Sequence, residues 1–556
     1  MILRDAREEE MEKKQKQNKR LDRIGLICGC LLLALAVLCI LYAHRPAVAG
    51  VRDSEIPEGA LTLEGTAEGR NGPVRVQVIA DNERIYRVRV LEHQETEGIG
   101  SEAIYRMPEK IIATQSLRFD DVEIDGVTGA TVSSKAVNNA VINALDSGDL
   151  QLRNFDAYLV KTEVLSNEPD VDALKESDGH IHVLTSADWA ETYPNEYATW
   201  AQNGENDGQT DYLEDYPYLV ELYGPYGFSK DYLSARGHSF DLDDIRETAR
   251  VGEKTKSSCF TCKTPMMTAM VLEEGDTAYG KPFAEVDGMM VEPISCFNCH
   301  ANSPLVDGEV NLVTTHTYLI DAVGDDFENI DAATLSCGQC HNEYYFDPTR
   351  EGAPVTLPHT SLKTMHPDQI LAYYNDPANF ADGLPFADYT SSGSGVRQIK
   401  VQHPELETYL GVGSPHRDTY TCADCHMGKV ATEDGEYSSH YLISPLENQE
   451  LLDGTCSQCH ANLPREVKRI QGEIETRTDE VAWQLVELKQ QLTAAVESGD
   501  YSEEELEEIR ALARDAQFYW DFVFVENSNG AHNPQMARYC LDKAEELCQQ
   551  ALAKIK

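Results

Sequence analysis

Five copies of one short cysteine pattern constrain what this chain can fold into. Cys296-Phe297-Asn298-Cys299-His300, Cys337-Gly338-Gln339-Cys340-His341, Cys422-Ala423-Asp424-Cys425-His426 and Cys456-Ser457-Gln458-Cys459-His460 read CxxCH. The first in order, Cys259-Phe260-Thr261-Cys262-Lys263, ends in lysine. In CxxCH the two thiols become thioethers to haem vinyl groups, and the following imidazole takes one axial position on the iron. Five such motifs use ten of the fifteen cysteines, which sets aside a zinc half-site as the common explanation. A fold built around macrocycles takes much of its apolar core from them. An amine must lose its proton to ligate iron, so four standard sites beside one odd one suggest four wires and one workbench.

Lys and Arg total 47 against 95 Asp and Glu, a formal charge of −48. That excludes nucleic acid as a partner and repels small anions from the surface at large. An anion-reducing site here needs its own local cations.

Residues 24–43 form an uncharged run of twenty, the length that spans hydrocarbon. Arg4, Arg7, Lys13, Lys14, Lys16, Lys19, Arg20 and Arg23 precede it, so residues 1–23 are expected as a cytoplasmic tail and everything after residue 44 as extracytoplasmic. Ala47-Val48-Ala49 resembles a signal-peptidase site, but the long basic lead and full-length run favour an uncleaved single-pass anchor. Cys28, Cys30 and Cys39 within it read as small apolar residues. Cys540 and Cys548, eight positions apart in a helical stretch, stand about 12 Å apart along the axis, too far for a disulfide in a straight helix. They read as packed core thiols.

The pattern along the rest predicts a tether over 44–60, a small α+β domain over 61–150, a linker over 151–179 and a mainly α multihaem domain over 180–556. Val74, Val76 and Val78 alternate with polar residues, and Ile85, Val88 and Val90 follow a turn, as a hairpin would. Ala136, Val137, Ala140, Val141 and Ala144 mark a helix from Ser133 to Leu145. Near the end, Ile470, Ile474, Val481, Leu485, Leu488, Leu492 and Val496 mark a long helix. Gly499-Asp500 breaks it, Ser502 with Glu505 caps a second, and a third starts near Gln535. Their apolar stripes suggest a homodimer interface, with packing onto the haem core as the alternative.

Asp125-Gly126-Val127-Thr128-Gly129-Ala130-Thr131 stands directly before the Ser133 helix, whose N-terminus favours phosphate. With His93-Gln94-Glu95-Thr96-Glu97-Gly98-Ile99-Gly100, this stretch resembles the FMN-binding domain of the sodium-pumping NADH:quinone oxidoreductase and related subunits, over roughly 70–150. The resemblance implies covalent FMN on Thr131, attached by a flavin transferase, with Asp125 in the recognition motif.

From about 180 to 556 the chain resembles the ammonia-forming pentahaem cytochrome c nitrite reductases. The match rests on Trp189-Ala190-Glu191-Thr192-Tyr193-Pro194, the CxxCK-first order, Cys337 through Phe346, and Lys400-Val401-Gln402-His403-Pro404-Glu405. It implies five c-type haems, the work of haem maturation machinery, and nitrite as substrate. Lys263 is then the proximal ligand of a catalytic haem, with Arg250, Tyr344 and His403 around its open side. Axial pairs follow: His300 with His440, His341 with His238, His426 with His532, and His460 with His416. Glu343, Gln402 and the carbonyls of Tyr344 and Lys400 match the family's calcium site, hard oxygen donors that suit Ca2+. Arg250, a protonated His403 and calcium would supply positive potential. The fused flavin domain implies electrons from a membrane donor, a quinol or a flavin or cytochrome system. Two readings compete: reduction of hydroxylamine or sulfite, and a multihaem conduit to an extracellular acceptor, which needs no open iron.

Overall fold

The computed structural model describes residues 48–51, 56–57, 59–81, 84–95, 100–114, 131–148 and 167–555, apart from 307, 418, 433–434, 459 and 461. The expected anchor over 24–43, Asp125, Cys459 and most of the expected linker lie outside them. Among the described residues no helix is long and apolar enough to cross a membrane. The chain divides into two compact units, residues 1–156 and 157–556.

The first unit is a four-stranded antiparallel sheet with two helices. Its strands are β1 (Val48–Gly50), β2 (Leu61–Glu68), β3 (Pro73–Ala80) and β4 (Ile85–Glu92), in the order β1-β4-β3-β2. Alternation decides which face is buried. Val74, Val76, Val78 and Ala80 on β3 are buried, as are Tyr86, Val88 and Val90 on β4, with Ile85 beside the register shift at Ile79 and Ala80. Arg75, Gln77, Ile79, Arg87 and Arg89 are more exposed. Helices α1 (Gly100–Thr114) and α2 (Thr131–Ser147) complete this core through Ile104, Met107, Ile111, Ala136, Val137, Ala140, Val141 and Ala144. Gly65 on β2 lies directly under α2, where a Cβ would run into the Ala140 carbonyl and the Ala144 backbone. Only glycine admits the helix that close.

Two expected boundaries move. Residues 48–50, placed by the sequence in a free tether, pair with β4 in the register Val48↔Arg89, Ala49↔Val88 and Gly50↔Arg87. Neighbouring β4 offers unpaired backbone groups, and a three-residue strand suffices to meet them. The expected linker also ends early: Asn167 bridges to Val313, and Val171–Leu174 is helical. The second unit thus begins well before residue 180.

That unit is mainly helical. Its short helices include α3 (Val171–Leu174) and then α4 (Pro265–Glu274), α5 (Cys296–His300), α6 (Ala332–Gly338) and α7 (Cys422–His426), which carry or flank cysteine motifs. Three long ones lie toward the C-terminus: α8 (Leu463–Ser498), α9 (Glu503–Phe524) and α10 (Pro534–Lys554). Ser502 and Glu505 form the expected capping box of α9. Trp520 on α9 is fully buried between its neighbours, and its Nε1 donates to the Thr478 carbonyl at 2.9 Å. Cys540 and Cys548 are buried in the same core, among the free thiols.

Candidate haem array and active site

Two of the CxxCH motifs, at 296 and 422, start helices that their own third residue helps to cap. In α5 (Cys296–His300), Ser295 N donates to Asn298 Oδ1 at 3.1 Å. In α7 (Cys422–His426), Thr421 N donates to Asp424 Oδ2 at 2.7 Å, and Asp424 N to Thr421 Oγ1 at 3.2 Å. A helix of this length brings both cysteines and the histidine, at i, i+3 and i+4, to one face. The motifs lie close together. The Cys262 thiol stands beside Cys340, and Cys337 beside Cys422. Cys299 interacts with Cys337, and Cys425 with Cys456. The 337–341 motif is therefore a hub between those at 259, 296 and 422, with the 456 motif at the far end.

In each of the four expected histidine pairs the two rings lie opposite one another, three of them edge-on and one tilted. Ring centroids are 6.4 Å apart for His300 and His440, 6.1 Å for His341 and His238, 6.1 Å for His426 and His532, and 5.9 Å for His460 and His416. Two metal–imidazole bonds of about 2.0 Å, plus about 1.1 Å from each donor nitrogen to its ring centre, span roughly 6.2 Å. That spacing would admit one iron between each pair; His341 stands equally far, at 6.2 Å, from His403. In five of these histidines Nδ1 is taken by an oxygen. His300 meets the Asn311 carbonyl at 2.7 Å, His426 that of Ile443 at 3.0 Å and His440 that of Ser438 at 3.0 Å. His460 meets Glu466 at 2.8 Å and His532 meets Glu526 at 2.6 Å. That leaves Nε2 as the donor toward a metal and sets the ring plane.

The remaining motif has other company. Lys263, which follows Cys262, is paired through Nζ with Asp241 at 3.2 Å, and that carboxylate raises its pKa, keeping it an ammonium. Arg250 acts electrostatically on both Cys259 and His403, and its Nε donates to Thr248 Oγ1 at 3.1 Å. Arg246 is turned elsewhere, onto Asp287 at 2.7 Å and the Met290 carbonyl at 2.7 Å. Tyr344 lies by Cys262 and Cys259, and burial raises its phenol well above the usual range, so the proton stays. Burial, reinforced by Lys263, Lys400 and Arg250, pushes His403 down to about 3. Against the expectation of a protonated His403, these surroundings favour the neutral ring, although 44% of its side-chain surface stays open.

The expected calcium donors also converge. Glu343 is fully buried; its Oε1 accepts from Tyr374 Oη at 2.8 Å and its Oε2 from Gln402 N at 2.6 Å. The Gln402 side-chain amide meets the Lys400 carbonyl at 2.7 Å, and turning that amide over would aim its oxygen the same way. Burial raises the Glu343 carboxyl well above its usual range, which a neighbouring cation would reverse. Among the described residues no three acidic, histidine or cysteine side chains cluster to hold a metal, so any ion here relies on carbonyls and the amide. Those residues fit a hard cation.

In the first unit, Glu95 accepts from Arg70 N at 2.8 Å and Asn71 N at 3.3 Å, and from the Ser133 hydroxyl. It ties the end of the sheet to the start of α2, whose first residue is Thr131.

Sequence reasoning missed Asp241, Glu466, Glu526 and Glu405. The Glu405 carboxyl stands 4.0 Å from Nδ1 of both His341 and His403. Glu405 and Glu466 sat two and six places from histidines already singled out, which is the signal that was there to use.

The sequence model for cytochrome c552 matches residues 185–556, and that for the FMN-binding domain matches 69–146. Cytochrome c-552 of Aliarcobacter butzleri (strain RM4018) is 32% identical over 390 residues, 65% of this chain and 74% of that protein. Among solved structures, the cytochrome c nitrite reductase of Desulfovibrio desulfuricans ATCC 27774, described with two calcium sites in its catalytic subunit, superposes with a TM-score of 0.59. It is 27% identical and the match covers 67% of this chain and 86% of that one.

Proposed function

Because the chain belongs to the cytochrome c552 family, with an FMN-binding domain ahead of its helical cytochrome part, we propose that it reduces nitrite to ammonium at the site ending in Lys263. The observation that carries this reading is an asymmetry. Four motifs are served by facing imidazoles, whereas Lys263 is gathered with Arg250, Tyr344 and His403. Five c-type haems fit the five motifs, and the haem at Lys263 would supply the coordination site and pass on electrons.

Reducing nitrite nitrogen from +3 to −3 takes six electrons and eight protons and releases two waters. The chain's own groups supply the rest. Arg250, which has no carboxylate within ion-pair distance among the described residues, provides positive potential for an anion that the −48 surface would otherwise repel. Neutral His403 and protonated Tyr344 offer hydrogen-bond donors to nitrite oxygens and proton positions for the N–O cleavages. Glu343, Tyr344, Lys400 and Gln402 would hold Ca2+, keeping the segment before His403 in place. The histidine pairs His238–His341, His300–His440, His426–His532 and His416–His460 would carry electrons through the 337–341 hub.

On this reading FMN, joined to Thr131 by a flavin transferase, relays electrons from a membrane donor, and residues 24–43 anchor the protein with its catalytic part outside the cytoplasm. A homodimer is also proposed, but the expected stripe of Ile474, Val481, Leu485, Leu488 and Leu492 is buried in the chain's own core, so the contact would use the outer faces of the C-terminal helices, where Trp483 is exposed.

Spectroscopy of the isolated holoprotein tests the central claim. A high-spin haem population that shifts on adding nitrite, with ammonium as product, is expected. Five low-spin haems inert to nitrite would leave only the conduit.

A further inference from the structure

Arg250 does not hold its position alone. The turn over residues 227–232 builds a seat for it. Its Cζ lies 4.2 Å from the ring centroid of Phe228 and 6.0 Å from that of Tyr232. Its aliphatic stem crosses Gly227, where an added Cβ would sit 3.3 Å from Arg250 Cγ. Its Nε donates to Thr248 Oγ1, whose hydroxyl donates in turn to Asp231 at 2.6 Å.

Phe228 is itself fixed by neighbouring rings, 4.8 Å from Tyr232, 5.7 Å from Tyr226 and 6.3 Å from Tyr223. A second cation uses the same rings. Lys400 Nζ lies 4.9 Å from Tyr223, 5.2 Å from Phe228 and 5.9 Å from Tyr232. Its only carboxylate within ion-pair distance among the described residues is Asp521, at 3.4 Å. An aromatic face attracts a cation through the ring quadrupole without supplying a counter-charge. A carboxylate in the same place would cancel the potential that an anion needs.

We propose that Phe228 is a positioning residue of the anion site: its ring, with the bare backbone of Gly227 beneath the stem, holds the Arg250 guanidinium toward the substrate without neutralising it. The proposal rests on the reading of Arg250 as the group that faces nitrite. It makes Phe228 matter for a charged substrate and not for an uncharged one of similar size.

The test uses full-length holoprotein with an artificial reductant, and compares nitrite with hydroxylamine, which is uncharged at neutral pH. Phe228→Leu should raise the nitrite KM about five- to thirtyfold while kcat stays within about twofold and the hydroxylamine KM holds. Phe228→Tyr, which keeps the ring face, should restore most of the loss. Adding Phe228→Leu to Arg250→Ala should cost nothing beyond Arg250→Ala. If Phe228→Leu lowers haem content, Gly227→Ala, which crowds the stem, carries the same KM comparison. An unchanged nitrite KM in Phe228→Leu, or equal rises for both substrates, overturns the proposal while Arg250→Ala still raises the nitrite KM. An unaltered nitrite KM in Arg250→Ala overturns the reading of Arg250 itself.

Discussion

Asp241 keeps a proton on Lys263, and an amine must shed it before its lone pair can reach a metal, so this carboxylate sets the terms on which position 263 becomes a ligand. Lys263→His restores the common motif, so all five attachment sites should still load, as a pyridine haemochrome count would show. Imidazole there changes the electron density and position of the iron relative to Arg250 and His403, and nitrite turnover should fall at least tenfold. Turnover equal to wild type would show that the lysine is incidental. Glu526 presents the converse case, a carboxylate on Nδ1 of His532 at 2.6 Å that makes the ring a stronger donor. Glu526→Gln should raise the midpoint potential of that haem by about 30–60 mV, the equivalent of roughly 0.7–1.4 kcal/mol for one electron; redox titration checks it. The four histidine pairings came from the family resemblance, and the fold brings each pair to 5.9–6.4 Å between ring centroids. Asp241 was not legible in the sequence, since nothing around it marks a residue that meets Lys263 only after the chain folds back over twenty-two positions.

Elements were readable where one face alternates and opaque where a partner decides. The β3–β4 hairpin announces itself through Val74, Val76 and Val78 and through Val88 and Val90, buried as the alternation requires, while Ile85 is buried beside the register shift at Ile79 and Ala80. Strand β2 does not: Leu61 and Thr62 are exposed and Gly65 interrupts it, and its position makes sense only with α2 lying across that glycine. Helix α1 contains Pro108, a residue that argues against a helix interior. Gly65→Val should therefore unfold the first unit, lowering its melting temperature or abolishing its transition in calorimetry, while the haem absorbance of the second unit stays as in wild type. Among the C-terminal helices, Trp520→Ala removes a fully buried indole and its bond to Thr478. A loss of about 3–5 kcal/mol is expected from the cavity it leaves, measurable by denaturant unfolding.

At the scale of the whole molecule, the composition decided the chemistry and left the wiring to the fold. A charge of −48 demanded local cations, and the structure brings Arg250 and Lys400 to act on His403, with Lys263 a third cation only while it keeps its proton. The order of contacts among motifs, with 337–341 at the centre, could not be read from their order along the chain, because thiols seventy-eight positions apart, Cys262 and Cys340, end side by side. The proposed flavin input is tested on the full chain. With a flavin transferase present, denatured protein should keep yellow fluorescence on a gel and Thr131→Ala should lose it. That variant should also lose turnover with the membrane donor while keeping turnover with an artificial one.

Strand β1 carries a consequence for how an electron donor is met. Cleavage after Ala49 would remove two of its three residues, Val48 and Ala49, and their pairing with β4, so the mature protein should retain its N-terminal residues by intact mass. With residues 24–43 in a bilayer, as proposed, the five steps from Ala43 to Val48 reach about 17 Å even fully extended. A leash that short turns a search through a volume into a search over a plane, where a lipid-dissolved reductant meets the flavin sheet by lateral diffusion.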